Sequence, residues 1–328
     1  MSLDRIRLAS LHDKVISAEE ASAFIEDGMT VGMSGFTRAG EAKAVPLALV
    51  KRAHTNPLKI TLITGASLGN DLDKQLTEAG VLARRLPFQV DNTLRKAINN
   101  GEVMFIDQHL SETVEQMRNL QLKKPDVAII EAVAITEDGG IIPTTSVGNS
   151  ASFAIFAEKV IVEINTNLSP AFEGLHDIYI PTYRPTRQPI PLTQVDERIG
   201  THAINIDPAK IVGIVINNDL HDSPSTVTAP DDETQGIADH LIAFFEKEVA
   251  EERLPKNLGP LQAGIGSIAN AVLTGLKDSN FEDLVMYSEV LQDCTFELID
   301  AGKMKFASGR CLLFLKREDE ATRSTRSR

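Results

Sequence analysis

One carboxylate interrupts an apolar run late in the sequence: Glu289, in LVMYSEVLQD, residues 284–293. An ionised carboxylate placed where a sheet would be buried costs on the order of several kcal/mol unless it is paired or reaches water. With Met286, Tyr287, Val290 and Leu291 around it, the setting reads as the end of a strand entering a turn or helix. Three chemistries fit that setting: a solvated strand-end carboxylate, one balanced by a base from elsewhere, and a partly desolvated nucleophile. Just upstream, LQAGIGSIANAVLTGL (261–276) puts Gly264 and Gly266 in a tight loop before a helix starting near Ser267 or Ile268. Such a loop is either an ordinary turn or a place where a ligand can approach the backbone and meet free helix amides.

Two further loops carry glycine, serine and threonine: SGFTRAGEAKAVP (34–46) and ITEDGGIIPTTSVGNSASFA (135–154). Both follow apolar runs, so they would sit at the carboxyl ends of strands, where α/β proteins bind ligands; taken singly, either loop is better explained by ordinary turn chemistry. The seven histidines show no metal-binding spacing, and no phosphate-binding glycine motif follows a strand.

The elements that must position these groups alternate between apolar β-branched runs and amphipathic segments. PDVAIIEAVAI (125–135), EKVIVEIN (158–165) and AKIVGIVI (209–216) read as strands covered on both faces, with MTVGMSGF (29–36) and KITLITGA (59–66) as two more. Helices are expected over 15–28, with Ser17 and Glu20 as a capping box, from Pro46, over 91–101 and over 234–252. In the last of these, Ala238, Leu241, Ile242, Phe245 and Val249 share one face. This alternation predicts a mostly parallel α/β sheet. PTYRPTRQPIP (181–191) reads as an extended connection and 217–233 as an inter-domain linker, giving a first domain over 1–225 and a second over 226–309. Residues 310–328 form an atypical tail expected to be disordered, with six basic residues against Glu318, Asp319 and Glu320.

At 328 residues with 42% hydrophobic and 24% charged residues, the chain suits two soluble globular domains. A net charge of -13, no Trp and few aromatic residues argue against nucleic acid or an anionic membrane as partner. Cys294 and Cys311 make neither a disulfide framework nor a metal site, and no signal-like or membrane-length apolar run occurs, so a cytoplasmic setting is expected.

Taken in order, SGFTRAG, LITGAS, LPFQVDNTLRKAINNGE, HLSE, EAVAITEDGGIIPTTSVGNS, AEKVIVEIN, DERIGT, GPLQAGIGSIANAV and MYSEVLQD resemble the acetyl-CoA hydrolase/transferase family of coenzyme A transferases, from about residue 5 to Ser308. The resemblance implies two related open-sheet CoA-transferase (NagB/RpiA-like) α/β domains, the second incomplete, and a reading frame truncated or shifted after residue 309. It implies that Glu289 is the nucleophile and that Gly264, Ile265, Gly266, Ser267 and Ile268 form the loop contacting coenzyme A, with Ser267 where many relatives have Asn. The implied reaction is ping-pong transfer of coenzyme A between a short-chain acyl-CoA and a carboxylate through a glutamyl-CoA thioester, with coenzyme A as substrate and no metal or redox cofactor. Acyl-CoA hydrolysis and a non-catalytic fragment are the alternatives, and a homo-oligomer is left open.

Overall fold

A computed structural model describes residues 3–223 and 231–312. Part of the linker expected over 217–233, with the boundary near residue 225, and the tail from residue 313 onward lie outside the described residues. Contacts divide the described chain into one unit of residues 3–190 and 199–223 and another of residues 191–198 and 231–312.

The first unit carries β1 (Thr30–Met33), β2 (Ile60–Ile63), β3 (Leu82–Leu86), β4 (Met104–Phe105), β5 (Val127–Ile135), β6 (Ile141–Pro143), β7 (Lys159–Asn165) and β8 (Ile211–Asn217). Its helices are α1 (Ala18–Ser22), α2 (Ala44–Ala53), α3 (Leu72–Glu78), α4 (Asn92–Asn99), α5 (Leu110–Arg118) and α6 (Ser150–Phe156). The strands order as β4-β3-β2-β1-β5-β7-β8, all parallel, with β6 antiparallel to β5. The chain winds outward from β1 to β4, then restarts beside β1 at β5, so the order reverses between β1 and β5. Open parallel sheets bind their ligands at such a reversal.

Every residue of β5 is buried, because alternate side chains enter different cores. Val127 and Ile129 pack with Val31, Leu49 and Leu72, whereas Ala128, Ile130 and Ala132 pack with Phe153, Val160 and Val162. The expected capping box is present, Ser17 Oγ accepting from the Glu20 amide while Glu20 accepts from the Ser17 amide. The helix it starts is shorter than the 15–28 expected. The Arg52 guanidinium donates to the carbonyls of Ser22 and Ile25, satisfying the chain as it leaves the helix. The proline-rich stretch runs exposed along this unit, tied to buried Glu115 by Arg184 and Arg187, each at 3.1 Å.

The second unit holds α7 (Asp232–Ala250), β9 (Pro260–Leu261), α8 (Ser267–Asp278), β10 (Leu284–Tyr287), β11 (Val290–Leu291), α9 (Asp293–Asp300), β12 (Met304–Ser308) and β13 (Cys311–Leu312). The parallel sheet β12-β10-β9 has β10 at its centre, and β11 pairs with β13. Of the stretch expected as an aperiodic tail, Cys311 and Leu312 are thus strand. Asp231 caps α7 in a capping box with Thr234. Ile242, Phe245 and Val249 of that helix pack on the core of Leu273, Leu276, Leu284, Met286 and Leu298. A Cβ on Gly275 would stand 2.5 Å from Ile242, so glycine lets α7 and α8 approach closely.

Candidate active site

In the second unit the loops after β9 and β10 lie side by side at the carboxyl edge of the sheet. Glu289 is exposed and follows β10 after one buried residue, Ser288. Its carbonyl accepts from the amides of Arg310 at 2.9 Å and Cys311 at 3.4 Å, where the chain leaves β12. The Ser288 amide donates to the Ser308 carbonyl at 2.9 Å. The backbone around Glu289 is therefore anchored on the β12 side while its carboxylate reaches water.

The glycine loop occupies the β9 side. Ser288 Oγ donates to the Ala263 carbonyl at 2.9 Å and accepts from the Ala263 amide at 3.3 Å. Gln292 Nε2 donates to the Gly264 carbonyl at 3.1 Å. Gly266 sits at φ 135°, ψ 174° as the residue before α8, a conformation open essentially to glycine alone. A Cβ on Gly264 would meet nothing within 4 Å, and its φ is not positive, so neither packing nor backbone strain calls for glycine there. Helix α8 begins at Ser267, within the predicted start, and has no side-chain cap, leaving its first amides directed at the loop. Ile265 in the glycine loop, Ile268 in the first turn of α8 and Tyr287 at the end of β10 are each 49% exposed. The structure thus brings Glu289 and residues 264–268 to one edge of one sheet. It adds Ser288 and Gln292, to which the sequence reading assigned no role although both lie in the MYSEVLQD motif.

A second polar constellation lies in the first unit at the reversal between β1 and β5, and the sequence reading missed it. Lys43 is fully buried, with its amine 2.6 Å from Glu131 Oε1, 2.7 Å from Asp222 Oδ1 and 2.7 Å from the Glu41 carbonyl. Glu131 also accepts from Thr144 Oγ1 at 2.7 Å and Asn165 Nδ2 at 2.9 Å. Asp222 Oδ2 accepts from the Gly40 amide at 3.0 Å and Thr145 Oγ1 at 2.8 Å. Glu163, opposite Glu131 in the β5–β7 register, accepts from the amides of Lys43, Ala44 and Val45 and so caps α2. Glu41 accepts from Asn70 at 3.0 Å with one oxygen, and its Oε2 has no hydrogen-bond partner among the described residues.

Burial pushes Glu41 up to about 8, helped by the charge on Asp222. Burial likewise pushes Glu131 up to about 7 despite the opposing pull of Lys43. Burial alone would lower the Lys43 amine, but Asp222, Glu131 and Glu41 together outweigh it and hold it well above its ordinary value. The signal available in sequence was one glutamate in each of two largely apolar strands, VAIIEAVAI and VIVEIN, and one lysine following a glycine loop.

Both units therefore present polar groups at the carboxyl ends of parallel strands, the arrangement of α/β proteins that bind ligands there. Residues 2–216 match the acetyl-CoA hydrolase/transferase N-terminal domain, and the chain belongs to that family. It is 46% identical over 307 residues to a succinyl-CoA:acetate CoA-transferase of Clostridium kluyveri, covering 93% of this chain and 57% of that protein. It is 43% identical over 316 residues to an acetyl-CoA hydrolase of Kluyveromyces lactis, covering 93% of this chain and 60% of that protein. The chain thus spans less than two thirds of the length of these relatives. The crystal structure of RipA from Yersinia pestis shares the fold, with a TM-score of 0.66 at 18% identity, over 98% of this chain and 67% of that one. Among the described residues no helix is long and apolar enough to cross a membrane.

Proposed function

We propose that the protein moves coenzyme A between a short-chain acyl-CoA and a carboxylate of the acetate, propionate or succinate class, through a thioester on Glu289. The reading rests on one juxtaposition: an exposed carboxylate at the end of central strand β10, beside a glycine loop at the end of neighbouring β9. Glu289 attacks the thioester carbonyl, and the coenzyme A thiolate leaves to give an acyl-glutamyl anhydride. The thiolate then attacks the glutamyl carbonyl, releasing the first carboxylate and forming glutamyl-CoA. An acceptor carboxylate reverses both steps and returns Glu289 to its ionised form. Nucleophilic catalysis splits one difficult exchange into easier ones, with no proton left over and no need of a metal or redox cofactor.

In this reading Gly264, Ile265, Gly266, Ser267 and Ile268 receive the coenzyme. The bare face of Gly264 admits it against the backbone, and the free amides of α8 face its developing negative charge. The half-exposed Ile265, Ile268 and Tyr287 supply apolar contact beside the anion. The same reading takes both units as variants of one NagB/RpiA-like open sheet and places the protein in the cytoplasm. The yeast relative's description as an acetyl-CoA hydrolase favours a second reading, in which water takes the anhydride or thioester. Measuring acyl-CoA consumption with and without added acetate or succinate separates the two: transfer requires the acceptor, and a rate indifferent to it sinks the transferase reading.

A further inference from the structure

Two buried side chains on either side of Glu289 grip the glycine loop and have no part in the reaction as written. Ser288 and Gln292 are 7% and 3% exposed, so their hydrogen bonds form away from water and hold more firmly than surface ones. Ser288 uses one hydroxyl to satisfy both the donor and the acceptor of Ala263. Gln292 holds the next carbonyl, that of Gly264, while its own Oε1 has no hydrogen-bond partner among the described residues. A buried amide with one oxygen unmatched carries a desolvation cost, a poor way to brace a loop unless its position matters. The two contacts fall on consecutive residues, 263 and 264, immediately before the loop turns into α8. From residue 265 to Gly266 no side-chain hydrogen bond restrains the loop among those described. Glu289 lies between the two gripping residues in sequence, and its own carbonyl is tied on the opposite side by Arg310 and Cys311.

We propose that Ser288 and Gln292 are positioning residues that set the glycine loop at a defined distance from the Glu289 carboxylate, so that loop amides and nucleophile meet the same thioester. This rests on the transferase or hydrolase reading of Glu289, and the two can fail separately. Misplacing a reacting group by about 1 Å can cost on the order of a hundredfold in rate. The effect belongs to the maximal rate of acylation more than to acyl-CoA affinity.

The test uses the full chain and its Ser288→Ala, Ser288→Thr, Gln292→Leu and Glu289→Ala variants, with acetyl-CoA or succinyl-CoA as probe. Mass spectrometry follows formation of the coenzyme A adduct with time and acyl-CoA concentration. Hydrogen exchange reads the amides of residues 263–268 in the free protein. The expected result is faster loop exchange and a maximal adduct rate at least about tenfold lower in Ser288→Ala and Gln292→Leu, with the half-saturating concentration changed less than about threefold. Ser288→Thr, which keeps the hydroxyl, restores both readouts to within about threefold. Unchanged loop exchange in Ser288→Ala and Gln292→Leu overturns the proposal, as does a rate loss that Ser288→Thr fails to rescue and that merely tracks melting temperature. An adduct that persists in Glu289→Ala, or none in the unsubstituted chain, overturns the functional reading instead, and the exchange measurement still decides whether the grip exists.

Discussion

Glycine plays two different roles in the loop before α8, and substitution separates them. Gly266 occupies φ 135°, ψ 174°, so Gly266→Ala should cost about 1–3 kcal/mol of stability in urea unfolding whatever the ligand does. Gly264 has open space where a Cβ would stand and no positive φ, so Gly264→Ala should leave unfolding within about 0.5 kcal/mol. If a coenzyme lies against that backbone, Gly264→Ala should still raise the half-saturating acyl-CoA concentration, on the order of tenfold, the cost of about one lost close contact. An unaltered saturation curve would show that the loop is only a turn. Glu289 stood out in the sequence because one charge broke an apolar run. Ser288 and Gln292 did not, since a serine and a glutamine beside a turn carry no signal until the register of β9 against β10 brings Ala263 and Gly264 to them.

At the scale of elements, the long apolar strands were legible because period-two burial on both faces of a parallel sheet demands uninterrupted Val, Ile and Ala. The glutamates inside them could not be placed, because their partners come from residues 43–45, 144, 165 and 217, brought together only by the strand order. The same distance from local sequence hid the early end of α1, where Arg52 of α2 donates to the carbonyls of Ser22 and Ile25. The Lys43 cluster makes stability depend on pH. Glu41 and Glu131 hold protons in the folded state up to about 8 and about 7, against an ordinary value of 4.5. Across that window the folded state binds more protons than the unfolded one, so their contribution is fully present below about pH 4.5 and falls as pH rises toward 8. A full proton of difference corresponds to about 1.4 kcal/mol per pH unit. Glu41→Gln, which keeps an acceptor for Asn70 and cannot ionise, should flatten the decline seen in urea unfolding between about pH 5 and about pH 8. An unchanged slope would mean that Glu41 ionises in place. Lys43→Met should do the opposite, stranding Asp222 and Glu131 and costing about 3–5 kcal/mol near neutral pH.

Across the whole molecule, the order of nine motifs carried more than any single one, and it led to the family that residues 2–216 match. Composition contributed an expectation, since a net charge of -13 argues against a general surface for polyanions. The division of labour between transfer and hydrolysis was not legible, because both begin with the same attack by the same carboxylate and differ only in what ends it. The transferase reading requires that Glu289 become covalently bound to coenzyme A. Incubating the full chain with acetyl-CoA or succinyl-CoA, digesting it and mapping the adduct by mass spectrometry decides whether it does. The predicted result is a coenzyme A thioester confined to the peptide containing residues 286–293, removed by added acetate or succinate and absent from Glu289→Ala. An adduct on another residue, or one that survives Glu289→Ala, would contradict it.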